Sequence, residues 1–324
     1  MKISVLGSGR WGSFLAWYAS VKKGYSVVNW GQNDAIFKNL VKKRKNKFVE
    51  YPENIVLTSD LKVAITNADI IIISISAQNL RSFICEHLSK FDLSSKRIML
   101  CMKGIEEKTG KRLTEVAVEC GIKKEKLAVW VGPGHIQDFV KGVPNCMVID
   151  SYSKELTKFI ADSFSSNLIR FYYGADIIGT EIGAATKNIF GLLAGMLDGV
   201  GFEALKGALM ARGTVEIARL IKAMGGNEFS AYGLCHLGDY EATLFSKHSN
   251  NRLWGEKFIK NEVSTKLAEG VATAKAVKLL AEKYSVDMPI TSAVEKIIQK
   301  VEKNESPMEI LRELFDRVTK SEFV

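Results

Sequence analysis

Ile3-Ser4-Val5-Leu6-Gly7-Ser8-Gly9-Arg10-Trp11-Gly12 stands almost at the start of the 324-residue chain, and its reading decides the fold. A short apolar strand runs straight into three glycines spaced GxGxxG, and the Gly12–Lys22 stretch that follows is helical in pattern. In a strand–turn–helix of this kind the first glycine permits the tight turn. The second lets backbone approach a pyrophosphate, and the third allows close helix–strand packing. The helix N-terminus then faces the negative charge. Gly7, Gly9 and Gly12, with Arg10 and Trp11 between them, are therefore candidate dinucleotide contacts.

Outward from this turn the pattern repeats. Apolar runs recur at Ser26–Trp30, Ile70–Ser76, Arg97–Cys101, Leu127–Val131, Cys146–Ile149 and Leu168–Tyr172. Helical patterns lie between several of them, at Asn79–Leu88, Thr109–Cys120 and Lys154–Phe164. This alternation predicts βαβ units and a largely parallel, doubly wound sheet. Ile70-Ile71-Ile72-Ile73 has no polar alternation and reads as a central strand covered on both faces. Beyond Gly179 the strand signal fades and helical periodicity takes over, as in Thr214–Met224 and Gly270–Tyr284. The expectation is an α/β dinucleotide-binding domain of Rossmann type over residues 1–178. A helical, substrate-binding domain over 179–324 follows it.

Hydrophobic residues make up 47% and charged residues 25%, which excludes a disordered chain. The longest apolar runs, Asp69–Ser76 and Ile189–Leu197, are too short for a membrane helix, and the N-terminus is a strand rather than a secretory signal. Five cysteines without a CxxC pair predict reduced thiols in a cytoplasmic protein, with no metal site. None of the four histidines shows metal-ligand spacing, so each reads as structural or surface, His135 near the predicted pocket being the one worth testing. The net charge of +9 favours anionic small partners. The sharpest basic run, Lys42-Lys43-Arg44-Lys45-Asn46-Lys47, reads first as a solvated helix end and second as attraction for a nucleotide phosphate. It lacks the aromatic or glycine interleaving of a nucleic-acid surface.

The residue that reads the cofactor ribose belongs near the end of the second strand, in Val28-Asn29-Trp30-Gly31-Gln32-Asn33-Asp34. No carboxylate stands at Asn29 or Trp30 and no arginine follows them. Gln32 is neutral and suits NAD or NADP alike.

Three later segments place polar residues in unusual company. Lys103 ends the apolar run Met99–Met102, at the strand edge where ligands bind in doubly wound sheets. Lys187 lies inside the small and apolar Thr180–Gly191 stretch, and reads either as a partnered buried amine or as one that snorkels to water. Asp239, in Gly238-Asp239-Tyr240-Glu241-Ala242-Thr243, is either a site carboxylate or a helix cap. Ser249-Asn250-Asn251-Arg252 follows it.

With these segments in place the sequence resembles the bacterial-type NAD(P)-dependent glycerol-3-phosphate dehydrogenases over nearly its whole length. The most specific stretches are Cys101–Gly110, Glu181–Gly201 and Asp239–Arg252. The resemblance implies a Rossmann domain joined to a helical domain, usually a homodimer. It implies reduction of dihydroxyacetone phosphate to sn-glycerol 3-phosphate, feeding glycerophospholipid synthesis. Carried over residue by residue, Lys187 matches the catalytic proton donor, Lys103 the second active-site lysine, and Asp239 and Thr243 the polar pair that completes the site. Gly132, Gly134, Ser249, Asn250, Asn251 and Arg252 stand at the implied substrate-contact positions, and Gln32, Ile136 and Glu269 at the implied cofactor-contact positions.

Four departures cluster near the implied site. The family's Ser-Arg-Asn-Arg reads Ser249-Asn250-Asn251-Arg252, so the arginine usually given to substrate phosphate is an amide. Arg252, Lys206 or another cation would have to replace it. The Gly-Pro-Thr-Phe-Ala-Lys-Glu loop reads Gly132-Pro133-Gly134-His135-Ile136-Gln137-Asp138. The arginine after the second strand is Gln32, and the glycine before Leu-Gly-Asp is His236. These departures keep a second reading open, a related two-domain dehydrogenase acting on another oxo acid or sugar phosphate. A third, a nucleotide-binding sensor without turnover, has no use for a proton donor.

Overall fold

A computed structural model describes residues 1–262, 269–303, 305 and 308–313. It divides into two compact units, Met1–Lys103 with Leu113–Ile177, and Gly104–Arg112 with Ile178 onward. The continuous first domain expected over residues 1–178 is interrupted, because Gly104–Arg112 groups with the helical unit. Burial explains the exchange. Ile105 is wholly buried in the helical unit's core, and Arg112 forms a 2.7 Å ion pair with Glu181, both side chains under a tenth exposed.

The first unit is built on eight strands: β1 (Lys2–Leu6), β2 (Ser26–Trp30), β3 (Ile55–Thr58), β4 (Ile70–Ile73), β5 (Arg97–Leu100), β6 (Leu127–Val131), β7 (Asn145–Ser151) and β8 (Ile169–Tyr173). They form one sheet in the order β3-β2-β1-β4-β5-β6-β7-β8. Neighbours are parallel except β6 and β7, which run antiparallel with Val129 opposite Asp150. The strand order reverses between β1 and β4, so the glycine turn that leaves β1 sits at the topological switch point, where α/β sheets bind ligands. Ile70–Ile73 is wholly buried, as expected of a strand covered on both faces. Helices α1 (Arg10–Trp17), α2 (Ala35–Lys43), α3 (Leu61–Thr66), α4 (Leu80–Ser82), α5 (Leu113–Glu119), α6 (Ile136–Val140) and α7 (Lys154–Phe164) connect the strands. The core gathers aromatic rings: Trp130 meets Tyr18, Phe164 and Phe171 edge-on, and Phe14 stacks on Phe139 at 5.1 Å.

Two sequence expectations fail in this unit. Strand β3 was not foreseen, because four residues at a sheet edge carry too short a pattern to stand out from the polar loops around them. The expectation of five free thiols is overturned at Cys85 and Cys120, which form a disulfide; Cys101, Cys146 and Cys235 are free. The wide helical turn Phe83–His87 and the C-terminal end of α5 bring the two Cα atoms within 5.4 Å, a bridging distance that sequence spacing cannot reveal.

In the second unit no strand occurs among the described residues. Its centre is α8 (Ile177–Gly199), buried on all sides from Gly179 to Leu197. A helix apolar all round is a core helix when other helices cover it. Around it are α9 (Lys206–Ala223), α10 (Asn250–Ile259), α11 (Glu269–Tyr284), α12 (Pro289–Glu302) and α13 (Met308–Glu313). Glu216, wholly buried on α9, accepts the N–H groups of Ile290 and Thr291 and so caps α12. Among the described residues no helix is long and apolar enough to cross a membrane.

Candidate active site

In the sheet unit the glycine turn is held from several sides. Gly7 has φ +121°, open to glycine at little cost, and a Cβ there would collide with the Ser74 carbonyl oxygen. A Cβ on Gly12 would collide with the Gly7 carbonyl. At Gly9 a Cβ would meet no protein atom within 4 Å. The fold thus demands glycine at 7 and 12 but not at 9, and Gly9 is the N-cap of α1, beside its free N–H groups. A site built to admit a pyrophosphate has this property, so the residues fit a dinucleotide cofactor.

Asn29, which the sequence reading passed over for lack of a carboxylate, anchors this turn. It is wholly buried and donates to the carbonyls of Val5 (2.9 Å) and Gly7 (3.0 Å), while Tyr51 donates to it at 2.8 Å. Ser13 donates to Ser8 O, and Asn46 donates to Ser13. Part of the basic run therefore braces the glycine turn. Arg44 closes the C-terminal end of α2 and binds the carbonyls of Pro52 and Ile55, while Lys42, Lys43, Lys45 and Lys47 are exposed. Gln32 is exposed just past β2, and Asp34 is used to cap α2 through the Phe37 N–H.

Other predicted contacts lie at the same C-terminal edge of the sheet. Lys103 follows β5 and donates to Gly132 O at 2.6 Å, tying down the Gly132-Pro133-Gly134 loop after β6. Gly132 and Gly134 are kept small by Met147 and the Phe139 ring. Arg10 reaches Gln137 Oε1 at 3.5 Å and lies over the Phe48 ring; burial lowers its guanidinium from the ordinary value. Trp11 packs on Phe14 and Phe139, and Ile136 is buried in the core. His135 occupies the N-cap position of α6 and is half-buried.

In the helical unit α8 carries glycines at 179, 183, 191, 195 and 199, four apart with one gap. Positions four apart form a ridge on a helix. A Cβ at Gly183 would press on Cys235 and His236, at Gly191 on Thr243, at Gly195 on the Arg252 carbonyl and at Gly199 on Ile259. The chain from 235 to 259 thus lies directly along this stripe. Lys187 fills the gap in it, and the segment packed there supplies its partner: the ammonium pairs with Asp239, the side chains being 9% and 1% exposed. The snorkelling and simple-cap readings both give way to a buried ion pair.

Around this pair, Thr243 donates to the Asp239 carbonyl at 2.7 Å. Asn188, next to Lys187 and unremarked in the sequence reading, accepts from Asn251 Nδ2 at 3.0 Å. Asn251 Oδ1 in turn accepts the Gly270 N–H, also at 3.0 Å. Asn251 thus ties α10 to both α8 and α11. Ser249 caps α10 by accepting the Arg252 N–H, Asn250 is exposed at the first position of that helix, and Glu269 is exposed in the first turn of α11.

Arg252 turns elsewhere. Its Nε meets Asp198 at 2.6 Å and its Nη2 meets Glu256 at 3.7 Å, and Lys206 pairs with the same Asp198. Asp198 follows Lys187 by eleven residues on α8, about 16 Å along the axis at the usual rise. Both cations named as replacements for the missing arginine are therefore fastened to a carboxylate three turns from the amine.

A switch-point glycine turn in one unit and a buried lysine–aspartate pair in the other define a two-domain, dinucleotide-dependent oxidoreductase. Residues 2–157 match the family model for the NAD-dependent glycerol-3-phosphate dehydrogenase N-terminus, and residues 176–311 match that for its C-terminus. The chain belongs to this family. It is 36% identical over 308 residues to glycerol-3-phosphate dehydrogenase [NAD(P)+] of Prosthecochloris aestuarii, covering 91% of this chain and 92% of that one. It is 35% identical to that of Fusobacterium nucleatum, covering 99% and 98%. The solved glycerol-3-phosphate dehydrogenase of Coxiella burnetii superposes with a TM-score of 0.88 at 26% identity, covering 98% and 99%. A D-mandelate dehydrogenase, with a TM-score of 0.65 at 16% identity, shares the fold alone.

Proposed function

We propose that the protein reduces dihydroxyacetone phosphate to sn-glycerol 3-phosphate with NADH or NADPH, supplying glycerophospholipid synthesis. The observation that carries this is the buried Lys187–Asp239 pair in the gap of a glycine stripe, in a chain whose two halves both match the family. The nicotinamide cofactor, when bound, supplies the hydride. Hydride addition to a ketone leaves negative charge on oxygen, and the Lys187 ammonium stabilises that charge and gives its proton to the oxygen. Asp239 and Thr243 hold the amine's surroundings: the carboxylate orients the ammonium, and Thr243 fixes the backbone turn that carries the carboxylate.

On the sheet unit the reading assigns the cofactor to Gly7, Gly9, Arg10, Trp11, Gly12, Gln32, Lys103 and Ile136, and the substrate to Lys103, Gly132 and Gly134 at the neighbouring strand ends. On the helical unit it assigns Glu269 to the cofactor and the Ser249–Arg252 segment to the phosphate ester. Asn250 is the favoured contact there, because the N-terminus of α10 presents free N–H groups beside it. Arg252, already bound to Asp198 and Glu256, takes the lesser part.

A homodimer completes the proposal, on the strength of the resemblance. The cytoplasmic placement rests on reduced thiols, and the Cys85–Cys120 disulfide argues against it, since reducing compartments keep such pairs open.

The test is steady-state oxidation of NADH and of NADPH with dihydroxyacetone phosphate, set beside oxo acids. Turnover with the phosphate ester alone supports the reading, and turnover only with oxo acids overturns it. Light scattering on a sizing column reads the subunit count: a mass of one chain rejects the dimer.

A further inference from the structure

One histidine of the helical unit is held at both ring nitrogens. His236 is wholly buried; its Nδ1 lies 2.8 Å from the Gly183 carbonyl oxygen and its Nε2 lies 2.7 Å from the Tyr240 hydroxyl. A carbonyl oxygen only accepts, so Nδ1 carries the proton, and in a neutral ring Nε2 accepts from the Tyr240 O–H. The Thr186 hydroxyl, 3.4 Å from Nδ1, donates to Ile182 O at 2.8 Å. Phe190 meets the imidazole edge-on at 5.6 Å, and Tyr240 packs against it at 4.7 Å.

The placement matters because of what lies on either side. Gly183 is four residues before Lys187 on α8, one turn along the same ridge. The His236 carbonyl accepts the Asp239 N–H at 3.0 Å, so His236 opens the short 3-10 turn Leu237–Asp239 that carries the carboxylate. The backbone of His236 therefore holds Asp239 while its side chain grips the helix that holds Lys187. Gly183 makes this possible, since a Cβ there would stand 3.0 Å from the His236 Cβ. The titratable groups facing the ring are Lys187 from α8, Asp239 and Tyr240 from its own segment, and the neighbouring Cys235. Burial holds the imidazole neutral, with the charges of Lys187 and Asp239 acting in opposite directions.

We propose that His236 is a positioning residue for the Lys187–Asp239 pair, its neutral imidazole clamping the aspartate turn to α8 through Gly183 and Tyr240. The inference rests on reading Lys187 and Asp239 as the reacting pair.

The experiment compares the wild type with His236→Leu, His236→Asn and Tyr240→Phe, after circular dichroism and thermal unfolding have established which variants fold. With dihydroxyacetone phosphate and NADH, His236→Leu should lose about 10- to 100-fold in kcat, the scale of a small misplacement of a reacting group. Its KM for NADH should stay within about twofold of wild type, and the alkaline limb of its pH–kcat profile should move. His236→Asn puts an amide donor where Nδ1 stands and should recover most of the turnover. Tyr240→Phe removes the second hydrogen bond and should lower kcat about 2- to 10-fold, which keeps the proposal testable if His236→Leu does not fold.

Wild-type kcat and pH profile in a folded His236→Leu, or in Tyr240→Phe, overturn the clamp. So does a folded His236→Asn no faster than His236→Leu. A wild type inactive with the ester overturns the functional reading instead. The clamp is then judged by nitrogen NMR of the imidazole: a single Nδ1–H tautomer unchanged through neutral pH supports it, and a titrating ring rejects it.

Discussion

Lys187 and Asp239 form an ion pair almost wholly withdrawn from water, one residue on the central helix and the other on a short turn packed against it. Both charges have lost hydration, so each depends on the other.

This dependence makes Asp239→Ala destabilising by about 3–5 kcal/mol in denaturant unfolding, because it takes the paired carboxylate away from a buried ammonium. The double variant Lys187→Met with Asp239→Leu should be less destabilised than Asp239→Ala alone. If the double variant is the worse of the two, the pair is not acting as a coupled charge. Lys187→Ala should cut kcat by roughly 10²- to 10⁴-fold with cofactor affinity retained, measured by turnover and by fluorescence titration of NADH.

The two outer glycines of the turn and the middle one should behave oppositely. Gly12→Ala, whose Cβ would strike the Gly7 carbonyl, should lower the unfolding midpoint. The Cβ added by Gly9→Val meets no protein atom within 4 Å, so this variant should lower the midpoint less than Gly12→Ala while abolishing cofactor binding. A Gly9→Val protein that still binds NADH would remove the glycine turn from the cofactor site.

Asn250→Arg supplies the phosphate-binding cation that the resemblance implies at this position. A charge-assisted hydrogen bond there, worth roughly 1.5–3 kcal/mol, should lower the KM for dihydroxyacetone phosphate about tenfold or more. An unchanged KM would mean that another group already holds the phosphate.

The buried His236 also predicts how stability varies with acidity. Burial pushes its imidazole down to about 4, from an ordinary 6.5. Its folded form binds protons less readily than its unfolded form, so its contribution is complete above about pH 6.5 and is lost as pH falls toward 4. The size is of order 3 kcal/mol. The stability difference between wild type and His236→Asn, followed by urea unfolding from pH 7 to pH 4, should shift by that order in the wild type's disfavour. A constant difference would contradict a buried neutral imidazole.

Thiol titration of the unfolded, unreduced protein should find three free cysteines, Cys101, Cys146 and Cys235, and not five. Closing the 35-residue separation between Cys85 and Cys120 stabilises by roughly 4 kcal/mol in the chain-entropy account, so reductant should lower the unfolding midpoint.

Much of the molecule was legible because its signals are local. A GxGxxG turn after a strand needs only neighbouring residues to be recognised, and so does an all-isoleucine strand or the helix of α7, whose bounds match the periodicity. Where the pattern was short, as in Ile55–Thr58, it gave no signal. The glycines of α8 repeat every four residues and could have been read as a ridge, but nothing in the sequence says what lies along it. That Asn29 braces the glycine turn, that Asn188 answers Asn251, and that Cys85 meets Cys120 depend on residues distant in the chain.

The sequence by itself determined the class of fold, the nucleotide turn and which polar residues stand in apolar company. Each follows from periodicity and from the conformational needs of single residues. Only the tertiary structure decided partners. It gave Lys187 to Asp239, turned Arg252 toward Asp198 and set His236 between Gly183 and Tyr240. A buried charge or imidazole takes the partner that packing delivers to it, and packing is a property of the folded chain as a whole.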